Sequence, residues 1–362
     1  MNCLCPLPAP KILKLSGLCI LIWILTNPLK APAALYSIGD PTDQEQLYLE
    51  FINRSRADPA AEGVRLAATT DPQVRAQYTN LGVNLAQMQA EFATNPAAPP
   101  LALNAKLLAA ARLHTGDMYN NQYEGTPGTD GSTPQSRMTA QGYAWTNWGE
   151  NVLATAQSVF YGHAALNVDW FSGGPGGMRA GRPNRKSIQN PAFREIGVGV
   201  IDGLNGTVGP EVVTEDFAST AAGQPLINGV VFYDFNTNGF YDLGEGIGGV
   251  MVQVAGSADY AISSASGGYA VPVTSNGSYT VTFSSSGLSN QQPAVVTALK
   301  NIKKDFLPPY SPPVVSGPDP AALNQINSYT FTSVGAAIGY QCEQMELLPY
   351  GSTPNRCSVV ER

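Results

Sequence analysis

Helix-period spacing of apolar residues dominates up to about residue 170, and strand patterns dominate after Ile196. Thr42-Asp-Gln-Glu45 is a capping box, and Leu47, Phe51 and Ile52 give the helix that follows an apolar stripe. Asp58-Pro59 opens a second helix, with proline in the first turn. Leu103, Leu107, Ala111, His114 and Met118 recur at helical spacing and predict an amphipathic helix. Strands are predicted at Ile196–Ile201 and Val212–Phe217, so the first half reads as helices covering a small antiparallel sheet. In the second half Ile227–Tyr233 is β-branched and aromatic, Val250, Val252 and Val254 share one face, and Gly277–Phe283 is a further strand. Ala221-Ala-Gly-Gln-Pro225 reads as the linker between a domain at 40–220 and another at 225–307. The prolines from Pro308 onward break regular structure and open a tail at 308–362.

The first 34 residues read as an export signal: Lys11 and Lys14, an apolar run from Leu15 to Leu25, then Ala31-Pro-Ala33 as the cleavage site. The run is too short for a permanent span, and no later segment offers a transmembrane anchor. Cleavage after Ala33 removes three lysines and no acids, taking the net charge from −7 to −10. An acidic chain without a basic cluster excludes nucleic acid and electrostatic docking on anionic lipid. Charged residues make up only 13% of the chain, which suits a secreted, loop-rich β protein, extracellular or periplasmic, of a bacterial envelope. Three of five cysteines lie in the signal segment. Cys342 and Cys357 remain, either as one disulfide or as two free thiols.

Asp234, Asn236, Asn238, Asp242 and Glu245 fall at positions one, three, five, nine and twelve of a calcium loop. Gly239 stands at the sixth, where the chain turns, and Phe240 at the seventh, where a backbone carbonyl serves. The flanks are strands, where an EF-hand needs helices. With Gly248-Gly-Val-Met-Val, Gly267-Gly-Tyr269 and Gly277-Ser-Tyr-Thr-Val-Thr-Phe283, residues 225–306 resemble the B-type repeats of bacterial surface adhesins. That resemblance implies an all-β Ig-like sandwich in which calcium is structural.

Glu50-Phe-Ile-Asn-Arg-Ser-Arg-Ala-Asp-Pro59, Leu113-His-Thr-Gly-Asp-Met118, Gly149-Glu-Asn151 and Phe193-Arg-Glu-Ile-Gly-Val-Gly199 resemble, in order, motifs of the CAP superfamily. These are the cysteine-rich secretory, antigen and pathogenesis-related proteins, also called SCP-like. The resemblance runs from about Asp43 to Thr220 and implies an α-β-α sandwich, so that the whole chain is α+β. It further implies a cleft where two histidines and two glutamates can hold a divalent metal. Glu150 and Glu195 match the glutamates. The histidines are missing: Gly125 and Thr126 stand where one belongs, and Asn184 replaces the other before Arg185.

Two glutamates without imidazole make zinc unlikely and would suit a harder cation. Glu150 and Glu195 are then either structural acceptors for loop backbone or an acid–base pair with split pKa values. His114 falls on a packed helix stripe, while His163 could face the cleft. Tyr143, Trp145, Trp148, Tyr161 and Trp170 lie near the Gly-Glu-Asn motif, followed by the small, mobile stretch Gly173–Gly181. Aromatic walls with few polar groups suit a lipid, glycan or peptide ligand. Taken together, the residues read as a secreted, non-catalytic binding or surface protein. The alternative is an extracellular hydrolase, a peptidase using Glu150 and Glu195 with a metal or a water.

Overall fold

The computed structural model describes residues 33–221 and 223–309, and four short strand fragments beyond them at 315–316, 330–331, 340–342 and 359–361. The proposed signal segment up to residue 32, the side chain of Cys342 and all of Cys357 lie outside the described residues. No described helix is long and apolar enough to cross a membrane.

The chain enters as a two-residue strand β1 (Ala34–Leu35), then runs through α1 (Asp43–Ala57), α2 (Pro59–Ala67), α3 (Pro72–Leu81) and α4 (Leu85–Thr94). Next come β2 (Ala102–Leu103), α5 (Ala105–Asn121), α6 (Pro134–Ala140), β3 (Trp145–Ala156), α7 (Val159–Val168), α8 (Pro183–Gln189), β4 (Glu195–Asp202) and β5 (Glu211–Thr220). The Thr42 capping box closes in both directions: Thr42 Oγ1 accepts from Glu45 N at 3.2 Å and Thr42 N donates to Glu45 Oε2 at 2.8 Å. Asp58 caps α2 with Pro59 at its start. Leu107, Ala111, His114 and Met118 are the buried stripe of α5, whereas Leu103 belongs to the strand before it.

Strands β2-β4-β5-β3 form one sheet, antiparallel except at the β2–β4 edge. Helices α5 and α6 cover one face, with Leu107, Ala110 and Met138 over Ala218. On the other face α1, α7 and α8 bring Leu49, Ile52, Leu166 and Ile188 onto Ile196, Val198, Val213 and Phe217. A Cβ at Gly197 would collide with the Leu107 carbonyl group, so that glycine lets α5 lie directly on β4.

The second half is all strand: β6 (Leu226–Val230), β7 (Met251–Val254), β8 (Asp259–Ile262), β9 (Gly268–Pro272), β10 (Gly277–Ser285), β11 (Leu288–Val296) and β12 (Ile302–Lys303). A five-stranded sheet, β1-β8-β7-β10-β11, faces a three-stranded one, β12-β6-β9. Val252, Val254, Val281 and Phe283 meet Ile227, Val271 and Phe306 between them.

Residues 221–225 do not separate two independent cores. Leu226, Val230, Phe232, Tyr241 and Ala270 join Leu47, Phe51 and Ile52 in one cluster. Helix α1 is therefore covered on both sides, and eleven of its fifteen residues are buried. Its polar residues are matched individually, as burial requires. Glu50 accepts from Lys303 Nζ at 2.8 Å and Gln46 Nε2 at 2.7 Å. Asn53 bonds both the N–H and the carbonyl of Leu101. Arg56 donates to the carbonyls of Pro99, Ile188, Asn190 and Phe193, and burial pushes its guanidinium down to about 9.

Candidate functional site

Glu150 on β3 stands directly opposite Asp216 on β5, and both side chains point towards α5. Each is sealed from water: the Glu150 side chain is 1% exposed and Asp216 is fully buried. Arg137, from α6, forms an ion pair with Glu150 Oε2 and reaches the Thr126 carbonyl at 3.1 Å. His114 brings Nε2 to 3.8 Å from Glu150 Oε1, and its N–H donates to the Gly125 carbonyl at 2.8 Å.

Burial, reinforced by the neighbouring Glu150, pushes Asp216 well above the usual carboxylate range. Burial also raises Glu150, against the pull of the Arg137 guanidinium. The two carboxyls oppose each other's ionisation: Glu150 favours the protonated form of Asp216, while the Arg137 guanidinium favours the charged form of Glu150. Burial and then Arg137 push His114 down to about 4, so it is a neutral donor to Gly125. Glu215, next in sequence, lies on the opposite face of β5, bonded to Asn151 Nδ2 at 2.9 Å. Burial pushes it up to about 8.

The other expected cleft residues do not gather here. Glu195 pairs with Ala218, two residues along β5 from Asp216, and accepts from Tyr143 Oη at 2.7 Å, Asn104 Nδ2 at 2.7 Å and Tyr36 Oη at 3.4 Å. It lines a separate 340 Å³ pocket with Tyr36, Asn104 and Lys106. Asn184 is tied to Asp169 through N at 2.7 Å and Nδ2 at 3.1 Å. His163 lies under the other face of the sheet, where it stacks on Phe51 and donates to Glu62 at 2.9 Å. It does not substitute for a lost ligand.

The aromatic wall also disperses. Tyr143 packs beneath α5, Tyr161 and Trp170 pack with Tyr78 under α3, and Trp148 alone is well exposed, at 37%. Residues 173–181 are pinned to the α3–α4 hairpin by Asn84 N on the Gly176 carbonyl, and Phe171 N bonds the Gly177 carbonyl. Gly177 and Met178 are buried in this stretch, and Gly173, Pro175 and residues 179–181 are exposed. Beside it, a 600 Å³ groove is lined by Glu91, Arg182, Arg185 and Lys186, but Glu91 already takes bonds from both arginines.

The sequence missed Arg137 and Asp216. One signal was present: Glu215 and Asp216 are adjacent on a strand buried on both faces, so each face receives a carboxylate.

The loop from Asp234 to Glu245 is built differently. Tyr233 N donates to the Glu245 carbonyl at 2.9 Å and closes its base. Thr237 and Gly239 have φ of +60° and +72°, and the turn is tight enough that Gly239 N reaches Asp234 Oδ2 at 2.8 Å. Asp234 Oδ1 and Asn236 Oδ1 both accept from Asn238 N at 3.0 Å, and Asn238 Oδ1 accepts from Phe240 N at 2.7 Å. The amides of Asn236 and Asn238 donate to Asp242 Oδ2 at 2.7 Å each. Glu245 Oε1 and Oε2 accept from Phe235 N and Asp242 N, both at 2.9 Å. Burial raises the Glu245 carboxyl above its ordinary value.

Among the described residues, none of these three carboxylates meets a lysine or arginine. Nor do three His, Cys, Asp or Glu side chains anywhere among the described residues form a ready metal cluster. In this loop amide and carbonyl oxygens would have to complete the shell. Hard oxygens of that kind, around a short loop with three residues at positive φ, Thr237, Gly239 and Gly244, fit calcium by donor chemistry.

Residues 50–217 match the model of CAP, the cysteine-rich secretory protein family. An extracellular protein containing an SCP domain from Bacillus anthracis str. Ames is similar at 17% identity, over 42% of this chain and 45% of its own, with a TM-score of 0.27. A type II cohesin–X-dockerin complex from Acetivibrio cellulolyticus is similar at 19% identity, over 23% of this chain and 52% of that chain, with a TM-score of 0.18. The chain thus spans about half the length of these solved structures. No curated protein matches it. The family model and the α-β-α sandwich agree, and residues 50–217 are a CAP domain.

Proposed function

We propose that the protein is a secreted, non-catalytic binding protein whose CAP domain is fused to a calcium-stabilised sandwich of the adhesin B type. The sealing of Glu150 carries this reading. A carboxylate that acts on substrate must reach it, and Glu150 instead faces Arg137, Asp216 and His114 with 1% of its side chain exposed. The family's metal tetrad does not fit either, because Glu150, Asn184 and Glu195 each bond a different set of partners.

In the second half, Asp234, Asn236, Asn238, Asp242, Glu245 and the Phe240 carbonyl would hold one calcium ion. Bound there, calcium neutralises three carboxylates and stiffens the loop. The ligand of the CAP half is a lipid, glycan or peptide segment, with the exposed Trp148 and the Glu195 pocket as the surfaces open to it.

Incubation of the purified chain with a peptide library, read by mass spectrometry, tests the non-catalytic claim. No cleavage beyond background is expected from the native chain, and none should be lost on Glu150→Gln or Glu195→Gln. Peptide cleavage that disappears in a folded Glu150→Gln variant would establish the hydrolase instead.

A further inference from the structure

We propose that calcium at the 234–245 loop controls the stability of the CAP domain, with Phe240 as the transmitting side chain. This rests on the calcium reading above. Phe240 would have two roles, because its carbonyl is the seventh-position ligand while its ring leaves the loop for the CAP half. The ring stacks on Phe51 of α1 at 5.3 Å and 20°. The Arg54 guanidinium lies over both rings, 4.7 Å from the centre of Phe240 and 4.8 Å from that of Phe51. Next to it Tyr241, 1% exposed, packs edge-on against Phe232 and brings its hydroxyl to 3.4 Å from Asp43 at the start of α1.

The contacts continue inward. Arg54 is bidentate to the fully buried Glu62 through Nε and Nη2, both at 2.8 Å. Glu62 in turn accepts from His163 of α7, whose ring stacks on the far side of Phe51 at 5.0 Å. Arg54 is therefore fixed by Phe240 on one side and Glu62 on the other, which joins the loop to the contact between α1 and α7. A loop held closed by a cation keeps the Phe240 ring seated. A loop whose three carboxylates repel one another releases it, and the Arg54–Glu62 pair loses its cover.

Tryptophan emission separates the two halves. Trp145, Trp148 and Trp170 all lie in the CAP half, and no tryptophan follows residue 170. In the full chain carrying Trp23→Phe, urea unfolding followed by tryptophan emission should shift to higher urea when calcium replaces chelator. At calcium about 100 times its Kd, the unfolding constant should fall about hundredfold. Phe240→Ala keeps every ligand oxygen, so it should still bind one calcium by native mass spectrometry yet show a clearly smaller shift in the tryptophan transition. Should that variant fail to fold, Arg54→Lys, which keeps the charge on Glu62 but not the planar stack, should show a reduced shift.

A native chain that binds no calcium overturns the calcium reading itself. Bound calcium with an unmoved tryptophan transition overturns the coupling alone. An undiminished shift in Phe240→Ala, or in Arg54→Lys where it is the variant that folds, overturns the route through Phe240.

Discussion

Two acidic clusters in this molecule solve opposite problems. Glu150 and Asp216 are buried, and the fold balances them from within: Arg137 pairs with Glu150, and burial beside Glu150 favours the protonated form of Asp216. Asp234 and Asp242 stand at the surface beside exposed Asn236 and Asn238, and the described residues supply them no cation. Charge removed from water must be balanced by the protein itself, whereas charge left in water stays available to a solute ion. Glu150 and Asp216 are thus closed to ligands, and Asp234 and Asp242 are open to them.

Removing the internal counter-charge should break the closed cluster most severely. Arg137→Met leaves Glu150 buried without its cation, and about 3–5 kcal/mol of stability should be lost in urea unfolding at neutral pH. Part of that loss should return under mildly acid conditions, where Glu150 takes up a proton.

Next in size is the loop. At calcium about 100 times its Kd, binding should add about 2.7 kcal/mol to the native chain, and Asp234→Ala with Glu245→Ala should abolish the gain. Calorimetry with and without chelator reads the difference.

The pH profile should also separate the clusters. Glu211, bonded to Tyr48 at 2.6 Å, is pushed by burial to about 7, and Glu215 to about 8, both from an ordinary 4.5. Between the unfolded and folded values the folded state keeps a proton that the unfolded state has released. Stability therefore falls as pH rises through 4.5 towards 7 and 8, by about 1.4 kcal/mol per unit for each group. His114, lowered from 6.5 to about 4, makes the unfolded state the better proton binder between those values and offsets about half of the combined slope up to pH 6.5. Chemical denaturation across pH 4 to 9 should show a shallow loss of stability from about pH 4.5 to 6.5 and a steeper one from there towards 7.

The smallest effect should be Asp216→Asn. It replaces a carboxyl that is already neutral with a neutral amide of the same shape, so the change near pH 6 should stay below about 1 kcal/mol. The alkaline decline measured by the same denaturation should become shallower.

Local chemistry made much of the fold legible. The Thr42 capping box, the Asp58-Pro59 start and the alternation in β4 and β10 each need only neighbouring residues. Helices α3 and α4 drew no separate expectation, although Val74 with Tyr78 and Met88 with Phe92 stand at helical spacing and are buried together. The all-round burial of α1 was hidden too, since it takes strands more than 170 residues away to cover its second face. The same distance explains the site. Gly149-Glu-Asn151 marked Glu150, but the residues that neutralise it come from α5, α6 and β5, and only the folded sheet brings them together.

Native mass spectrometry of the purified chain offered both calcium and zinc tests the contrast most directly. One calcium and no zinc are expected, with the calcium lost on Asp234→Ala with Glu245→Ala and unchanged on Glu150→Gln. A chain that binds no calcium, or one that holds a metal which disappears with Glu150, would contradict the account.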